Sequence, residues 1–512
     1  MAKDKSDTLF VLIKSLKKSE KRYFKLAESQ SESKKYVRLF NPIDKQTIYN
    51  EDDILKMDST LKASLMSNLK AHLYNKILQS LRMYNVSSLP NIQLHEMIDH
   101  AQLLFNKGLY MQCEQILKKA KKLAKNADNL ELQLEILKWE KQIISHTIGK
   151  DIQGKVDEIV RSAKEVSSRI NNINTFTNLQ VKFDAVYKKT GFIRDINDFK
   201  KIQNAFVTNL PIIDEAHLSI SEKISLYELY IGYYSFIQDF EKSEYYATHW
   251  VALFEGDKTL RSSRTGAYLS GLNHLLIAQS KLLKYTEFQK TKKEMRLVGK
   301  LSTVAVNENL KLRLLKYSYV HEFNWLFMVG DFKMGVRLME RLKDNLEQFI
   351  DQLDLHSRII MFYKTACLYF GADDFKNAVV WLNKIINLSD VDLREDIHGF
   401  ARILNLISHY ELGNIELIQY NVRSTYRFLS KKSDLHQFQR YILNFLKKLE
   451  VTMTDEALVL HFDKLKQRLI PLAKNKYERR AFIYFDIISW LESKIEHRPV
   501  REVIKGKVQI LQ

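Results

Sequence analysis

The 512-residue chain has few of the residues that make tight turns: glycine occurs 15 times and proline 5 times. Together they make up about 4% of the chain, where about 12% is usual for soluble proteins. β-Sandwiches and barrels need a tight turn after each short strand, so this composition excludes them. Apolar residues make up 45% of the chain, enough to bury surface along its whole length. The sequence therefore predicts an all-α fold.

Cysteines are also few: the sequence contains only Cys113 and Cys367. Two distant cysteines exclude a disulfide framework and indicate buried thiols in a reducing compartment. The longest uncharged stretch, 265–280, contains Asn and His and is too short to span a membrane. The apolar run Leu9–Ile13 is shorter than the core of a signal peptide. We expect a cytoplasmic protein without membrane insertion.

The sequence contains no motif that predicts catalysis. It has no G-x-G-x-x-G, no G-x-x-x-x-G-K-[ST] and no G-x-S-x-G, which excludes the nucleotide cradles and the hydrolase elbow built on them. His95 and His100 come nearest to a zinc motif, but five residues separate them by about 140° around a helix. We therefore predict no catalytic, cofactor-binding or metal-binding residues, no cofactor and no enzymatic activity.

Positive charge is in excess, with 80 basic and 61 acidic residues and a net charge of +19. The excess is local: residues 1–86 hold 17 basic and 10 acidic residues, 281–316 hold 10 and 3, and 464–512 hold 12 and 5. Basic segments favour nucleic acid, anionic lipid or acidic proteins as partners. The lysine-rich run 118–125 lies opposite apolar residues on a helical wheel, which is typical of a solvated helix face.

A short turn followed by an aromatic or aliphatic residue recurs every 40 to 48 residues. Two amphipathic segments separate successive turns. Each turn therefore predicts the bend of an antiparallel helix hairpin, where Gly or Asp supplies the left-handed conformation that ends the first helix. The eight turns are Gly108-Leu109-Tyr110, Gly149-Lys150-Asp151-Ile152, Gly191-Phe192, Asp239-Phe240, Lys284-Tyr285, Gly330-Asp331-Phe332, Asp373-Asp374-Phe375 and Gly413-Asn414-Ile415.

Three segments also place small residues where two helices would cross and an aromatic residue just after the bend. They are 94–127 with Ala101, Gly108, Tyr110 and Cys113, 362–388 with Ala366, Phe375 and Ala378, and 328–342 with Gly330, Phe332 and Gly335. These segments resemble tetratricopeptide (TPR) repeats. The resemblance implies a right-handed superhelix (an α-solenoid) whose concave surface binds a partner. The period exceeds the family's 34 residues, and Phe183, Leu276, Phe288 and Leu406 occupy small positions elsewhere, which predicts a looser superhelix.

The break at Ser87-Ser88-Leu89-Pro90 divides a helical N-terminal module, 1–89, from the TPR-like array, 90–450. Helices are predicted in the module over 8–17, 19–29, 33–41, 51–57 and 60–85, with caps at Asp7 or Thr8, at Ser19 and at Asn50. The last helix carries an apolar stripe that we expect to dock on the array's first helices. The stripe consists of Leu61, Leu65, Leu69, Leu73, Ile77 and Leu81.

Residues 451–512 are predicted to be C-terminal capping helices and a tail that frays after Pro499. A hairpin over 438–472 is followed by a helix over 477–496. Terminal repeats need a polar outer face for solubility. Arg479, Arg480, Lys494 and Glu496 would supply it.

Near the N-terminus, the segment 15–26 (SLKKSEKRYFKL) and the segment 36–40 (YVRLF) resemble a set of uncharacterised bacterial TPR-like proteins of similar length. This resemblance runs through residue 127. It implies a cytoplasmic bacterial protein and brings no functional residues with it.

Two functions remain open. The first is a non-enzymatic scaffold or adaptor that binds a protein or peptide in the concave groove. The alternative is a nucleic-acid-binding regulator, in which 52–57 and the helix with Lys62, Lys70, Lys76 and Arg82 form a basic head similar to a helix-turn-helix and the repeats act as a sensor body. That helix is long and lined with leucine, whereas a recognition helix is normally short.

Overall fold

The computed structural model describes residues 8–29, 35–58, 61–87, 89–146, 152–388, 393–432, 435–449, 453–475, 477–478, 481–482 and 485–511. Throughout these ranges the secondary structure is helical and includes no strand, which confirms the all-α prediction. No helix in them is long and apolar enough to cross a membrane. The chain divides into two compact units, Met1–Ile170 and Asn171–Gln512. The division into 1–89, 90–450 and 451–512 stays a prediction.

The first unit contains eight helices among its described residues and the start of a ninth, which continues into the second unit. They are α1 (Thr8–Ser15), α2 (Lys18–Ser29), α3 (Lys35–Lys45), α4 (Glu51–Met57), α5 (Ala63–Asn85), α6 (Pro90–Asn106), α7 (Tyr110–Asn126), α8 (Leu130–Ile143) and α9 (Ile152–Thr190).

Helices α1 to α5 form a hydrophobic core of their own. Leu73 and Ile77 of the apolar stripe are fully buried in it, among residues of α1, α2 and α3. The expectation that the stripe docks on the array's first helices is therefore wrong. One residue of the stripe turns away from the core: Leu65 is 57% exposed, although Leu61 and Leu69 on either side of it pack against the core.

The predicted caps fare differently. Asn50 caps α4, accepting hydrogen bonds from the backbone N–H groups of Asp52 and Asp53. Ser19 is not a cap: it lies inside α2, whose start is closed instead by the Glu20 carboxylate accepting from the Lys17 N–H. Of the two alternatives at the start of α1, Thr8 is the first helical residue, and residue 7 lies outside the described ranges.

The second unit continues with helices and one short 3-10 turn at Glu215–His217. The helices are α10 (Ile196–Asn209), α11 (Ile220–Phe236), α12 (Phe240–Ala252), α13 (Lys258–Ser263), α14 (Thr265–Lys281), α15 (Tyr285–Val298), α16 (Ser302–Val306), α17 (Glu308–Val329), α18 (Phe332–Asp351), α19 (Leu355–Gly371), α20 (Phe375–Ile386), α21 (Glu395–Glu411), α22 (Ile415–Lys431), α23 (Gln437–Lys447), α24 (Asp455–Lys474), α25 (Ile487–Ile495) and α26 (Val500–Leu511).

Seven of the eight predicted bends fall in described residues, and each contains or directly follows a residue in the left-handed region. The prediction of Gly or Asp holds at five of them, but Gln238 and Leu283 adopt φ of 62° and 53° at the other two. The bend predicted at Gly149 to Ile152 lies mostly outside the described residues. The left-handed residues are Gly108, Gly191, Gln238, Leu283, Gly330, Asp373 and Gly413.

At three of these bends, the aspartate that precedes the phenylalanine caps a helix, which explains why Asp precedes Phe in the recurring turn. Asp239, Asp331 and Asp374 each follow the left-handed residue and cap the second helix of the hairpin with their side chains. The aspartate thus satisfies a backbone N–H at the helix start, and its charge favours the positive end of the helix dipole.

Each hairpin of the second unit packs against the next. The first helices α11, α14, α17, α19 and α21 contact one another in chain order, and each second helix packs beside the following first helix. Small residues permit close approach, as the resemblance to TPR repeats implied. A Cβ atom on Gly335 of α18 would lie 2.7 Å from Leu368 of α19. The tyrosines of α11 pack between helices as expected, with Tyr227 and Tyr233 buried.

The C-terminal predictions need correction. The helix expected over 477–496 is interrupted: residues 481–482 are helical and residues 485–486 are not, and α25 begins at Ile487, where the Asp486 side chain caps it by accepting from the Ser489 N–H. The tail does not fray after Pro499: Val500 and Val503 are buried, and Ile504 lies against Gly330. Of the residues expected to form a polar outer face, Lys494 pairs with Glu411 and Glu496 pairs with Arg498 at the surface. Residues 479 and 480 lie outside the described ranges.

Candidate functional site

A ladder of polar side chains crosses three successive first helices of the second unit. His321 on α17 contacts Asn273 on α14, with 3.0 Å between Nε2 and Oδ1. One turn further on, Asn324 Nδ2 lies 3.3 Å from His321 Nδ1, and Lys364 Nζ on α19 donates to Asn324 Oδ1 over 2.6 Å. The apolar packing of neighbouring hairpins is therefore interrupted by one continuous hydrogen-bonded row.

The ladder fixes the protonation state of its histidine. Asn273 Oδ1 and Asn324 Oδ1 can only accept, so His321 Nε2 donates to the first and Asn324 Nδ2 donates to His321 Nδ1. A protonated imidazole would offer a donor at both nitrogens and lose the second bond. Burial lowers the pKa of His321 to about 3, and the charge of Lys364 adds to the shift. The ring is therefore neutral near pH 7.

Other polar side chains extend the same face. Arg313 on α17 donates to Ser270 Oγ on α14 over 2.6 Å. Lys281 stands at the end of α14, two turns beyond Asn273. Both Arg313 and Lys281 are half-buried and keep part of their surface open. We define the ladder face as Asn273, Lys281, Arg313, His321, Asn324 and Lys364.

Arg394 contributes to the pKa shifts of three ionisable side chains, and we call these three, Lys281, His356 and Lys364, together with Arg394 the basic cluster. Burial lowers the pKa of Lys281 to about 7 and that of Lys364 to about 8, and Arg394 adds to both shifts. Burial also lowers the pKa of His356 to about 4, again with help from Arg394.

Arg394 is held from several directions. Its guanidinium makes two hydrogen bonds to the Asp396 carboxylate, at 2.9 and 3.0 Å, and both side chains are buried. The Tyr187 ring of α9 lies 5.2 Å from the guanidinium carbon, and the Arg394 N–H donates to the Lys188 carbonyl oxygen. The backbone has φ of 52°, a conformation that costs a residue with a side chain about 1 kcal/mol.

Many basic side chains of the predicted nucleic-acid interface form ion pairs with acidic side chains of the same chain. On α5, Lys70 bonds to Glu51 over 2.6 Å, and Arg82 pairs with Asp99. In the segment 281–316, Lys292 and Arg296 share the Glu322 carboxylate. Ion pairs of this kind reduce the charge that is left for phosphate contacts.

In one hollow of the first unit, fewer of the basic side chains are paired with acidic residues. The hollow measures about 510 Å³ and lies along α2, which contributes four basic residues and one leucine to its lining. Asp44 pairs with Lys21 at 2.6 Å and sits 3.9 Å from Lys25. The lining residues are Lys18, Lys21, Arg22, Lys25, Leu26 and Val37.

The other residues singled out from the sequence do not come together. His95 and His100 are both exposed on α6, and no group of three potential metal ligands occurs within the described parts of the chain. Cys113 and Cys367 are buried free thiols, as predicted. Burial raises the pKa of Cys367 to about 12, which keeps the thiol protonated and a poor nucleophile.

The sequence indicated a concave surface but none of the ladder residues. A signal was present in the apolar first helices, where Asn273, His321, Asn324 and Lys364 stand at positions that apolar residues would otherwise fill. Single polar residues in such helices have no pattern of their own, because the ladder joins residues 40 or more positions apart. No family model, no curated protein and no solved structure matches this chain.

Proposed function

We propose that the chain is a non-enzymatic cytoplasmic scaffold or adaptor that binds a protein or peptide on the ladder face. In this proposal the first helices of the hairpins form the concave side of a right-handed, TPR-like superhelix, and the ladder face is its lining. The C-terminal helices close one end of the array.

The observation that carries the proposal is the ladder itself. Hydrogen-bonding groups recur on three consecutive first helices, and several of them keep part of their surface open. An extended peptide has a donor and an acceptor on every residue, so the half-buried amide of Asn324 and ammonium group of Lys364 match its backbone. Stacked hairpins characteristically leave such an extended surface for a partner.

The chemistry of the face favours binding over catalysis. Arg313 and Lys364 are occupied by neutral oxygens of Ser270 and Asn324, which orients them without activating a nucleophile. Burial raises the pKa of Glu228 on α11, with nearby Asp184 adding to the shift and Arg313 opposing it. Such groups can position a ligand through hydrogen bonds and charge.

Affinity capture with matched variants tests the proposal. Asn324→Ala and Arg313→Ala each remove a polar group from the ladder face, and Lys290→Ala removes an exposed lysine from the second helix α15. Tagged proteins are used to capture partners from a lysate of the source cells, and retained proteins are quantified by mass spectrometry. We expect a partner that falls about tenfold with either ladder variant, as for an interface hot spot, and is unchanged with Lys290→Ala. Equal retention by all proteins contradicts the proposal.

A second candidate function, nucleic-acid binding by the N-terminal module, is supported by the hollow along α2. Lys18 and Arg22 line it on adjacent turns of one helix face, where they could contact phosphates. Nuclease treatment of half of each lysate separates the two functions. Loss of every partner on treatment, together with an affinity that falls steeply with salt, supports this candidate.

A further inference from the structure

We infer that the hairpin of α11 and α12 binds a proline-rich segment with a flanking basic residue on a row of tyrosine side chains. The tyrosine row consists of Tyr227, Tyr230 and Tyr234 of α11 and Tyr245 and Tyr246 of α12. It shares no residue with the ladder face, so the inference goes beyond the proposed function and adds a second interaction surface.

The five rings form one connected aromatic surface around Tyr246. Tyr227, Tyr230 and Tyr234 follow one another at three- and four-residue spacing, which places them on one face of α11. The Tyr246 ring centroid lies 4.4 Å from that of Tyr230 and 5.7 Å from that of Tyr234. It lies 6.0 Å from the Tyr227 centroid and 5.1 Å from the Tyr245 centroid. The row therefore crosses from one helix of the hairpin to the other.

The protein leaves this aromatic surface partly open. Tyr230, Tyr234 and Tyr246 are half-buried, and Tyr245 is 56% exposed. Tyrosine combines a large apolar ring with a polar end, and it is enriched at protein interfaces for that reason. The neighbouring ring of Tyr233 is buried and belongs to the core, whereas the open rings of the row are available to a ligand.

The hydroxyl groups of the row offer hydrogen bonds that the protein does not use. Within the described ranges, the hydroxyls of Tyr230, Tyr234 and Tyr246 make no hydrogen bond. A phenol hydroxyl donates readily to a carbonyl oxygen. Proline presents a carbonyl oxygen but no N–H group that would need an acceptor. Proline-rich segments also adopt the extended polyproline II conformation and dock in grooves lined by aromatic rings. The row thus matches such a segment in both its rings and its donors.

Charge selects a basic residue at one end of the segment. The Tyr227 hydroxyl donates to Glu215 Oε2 over 3.4 Å, and none of the described basic side chains forms an ion pair with this half-buried carboxylate. At the other end, Lys242 Nζ lies 5.1 Å from the Tyr234 ring centroid. An arginine or lysine of the partner would pair with Glu215, and its prolines would run toward Tyr234. Glu215 would repel the phosphates of a nucleic acid, which disfavours base stacking on the row.

Fluorescence anisotropy with the full chain and a synthetic peptide tests the inference. The labelled probe is a run of prolines preceded by one arginine. In one control peptide glycine and serine replace the prolines, and in the other glutamate replaces the arginine. We expect the arginine–proline peptide to bind at least about tenfold more tightly than either control. The inference is overturned if the arginine–proline peptide does not bind, or if either control binds equally well.

Variants then assign the binding to the tyrosine row. Tyr245→Ala removes the exposed ring and should weaken binding about tenfold, as for an interface hot spot. Tyr230→Phe keeps the ring, removes one hydroxyl and should weaken binding severalfold. The matched control is Tyr420→Ala on α22, because Tyr420 is 76% exposed and lies outside the row. It should bind the peptide as the wild type does. Equal affinities of Tyr245→Ala and the wild type would overturn the inference.

Two further arms separate this surface from the alternatives. Glu215→Gln should remove the preference for the arginine peptide over the glutamate peptide, and an unchanged preference would contradict the role of the carboxylate. A single-stranded oligonucleotide should not displace the peptide. Displacement from the wild type but not from Tyr420→Ala would contradict the assignment of the row, and displacement from both would assign the row to nucleic acid and overturn the inference.

Discussion

The Asp396 carboxylate occupies the space that a side chain at position 191 would need. A Cβ atom on Gly191 would lie 1.8 Å from Oδ2 of Asp396. Gly191 also adopts φ of 78°, so both its conformation and its surroundings require glycine. The bend after α9 is thereby packed directly against the start of α21, two segments that are far apart in sequence.

This packing predicts that Gly191→Ala is much more damaging than a similar change at another bend. Gly413 has nearly the same conformation, with φ of 74°, but nothing lies within 4 Å of where its Cβ would be. Gly413→Ala should cost about 1 to 2 kcal/mol, the penalty of the left-handed backbone. Gly191→Ala adds a clash with a buried carboxylate and should cost at least about 2 kcal/mol more. Denaturant unfolding of both variants measures the difference, and equal values would refute this packing.

The buried pair of Arg394 and Asp396 should behave differently from a surface pair. Arg394→Met leaves the Asp396 carboxylate buried without its cation, which is expected to cost about 3 to 5 kcal/mol. The exposed pair of Lys311 and Glu308 provides the comparison. Lys311→Met should change the free energy of unfolding by less than about 1 kcal/mol. A small effect of Arg394→Met would show that the pair is open to solvent.

Acid should destabilise the second unit through its neutral histidines. Burial holds the pKa of His321 at about 3 and that of His274 at about 4, well below the ordinary value of 6.5. Between pH 6.5 and these lower pKa values, the two histidines are protonated in the unfolded chain and neutral in the folded chain. The stability is complete above about pH 6.5 and is lost as the pH falls.

His321→Gln isolates one part of this effect. Between pH 7 and pH 5 the wild type should lose about 2 kcal/mol through His321 alone, given its shift of more than three pKa units. His321→Gln should lose correspondingly less over the same interval, whereas the exposed control His95→Gln should follow the wild type. Unfolding free energies at the two pH values give the comparison. A pH dependence that His321→Gln leaves unchanged would contradict the neutral ladder.

The stripe on α5 offers a pair of positions that differ mainly in burial. Leu73 is fully buried and Leu65 is 57% exposed. Leu73→Asp places a charge without a partner in the core of α1 to α5 and should unfold this module. Leu65→Asp should change the stability by less than about 1 kcal/mol. Thermal unfolding of both variants, followed by circular dichroism, gives the comparison. Similar melting temperatures would show that the stripe does not form the core.

Sequence reasoning located most helices and nearly all described bends because these depend on local signals. Asn50 caps α4 where the Asx pattern indicated, and the turn at Gly330 ends α17 as predicted. It failed where the structure of a segment depends on packing against distant parts of the chain. Ile504 packs against Gly330, which is distant in sequence, so the residues near Pro499 do not indicate that a helix follows.

The candidate site was beyond local signals for the same reason. The ladder joins Asn273 to Lys364 through two residues of α17, and Arg394 meets Tyr187 across four hairpins. Each residue taken singly is an ordinary polar residue in a helix or a loop. The repeat predicts a concave surface, but the chemistry of the ladder face depends on which residues neighbouring helices bring together.

Site-specific photo-crosslinking in the source cells tests the central claim most directly. A photoreactive amino acid replaces Ile277, which lies on α14 between Asn273 and Lys281, or Lys290 on the second helix α15 as control. Our account predicts a discrete protein adduct from position 277 that survives nuclease treatment and is absent from position 290. The account is contradicted if position 277 gives no protein adduct, or if both positions give the same adducts.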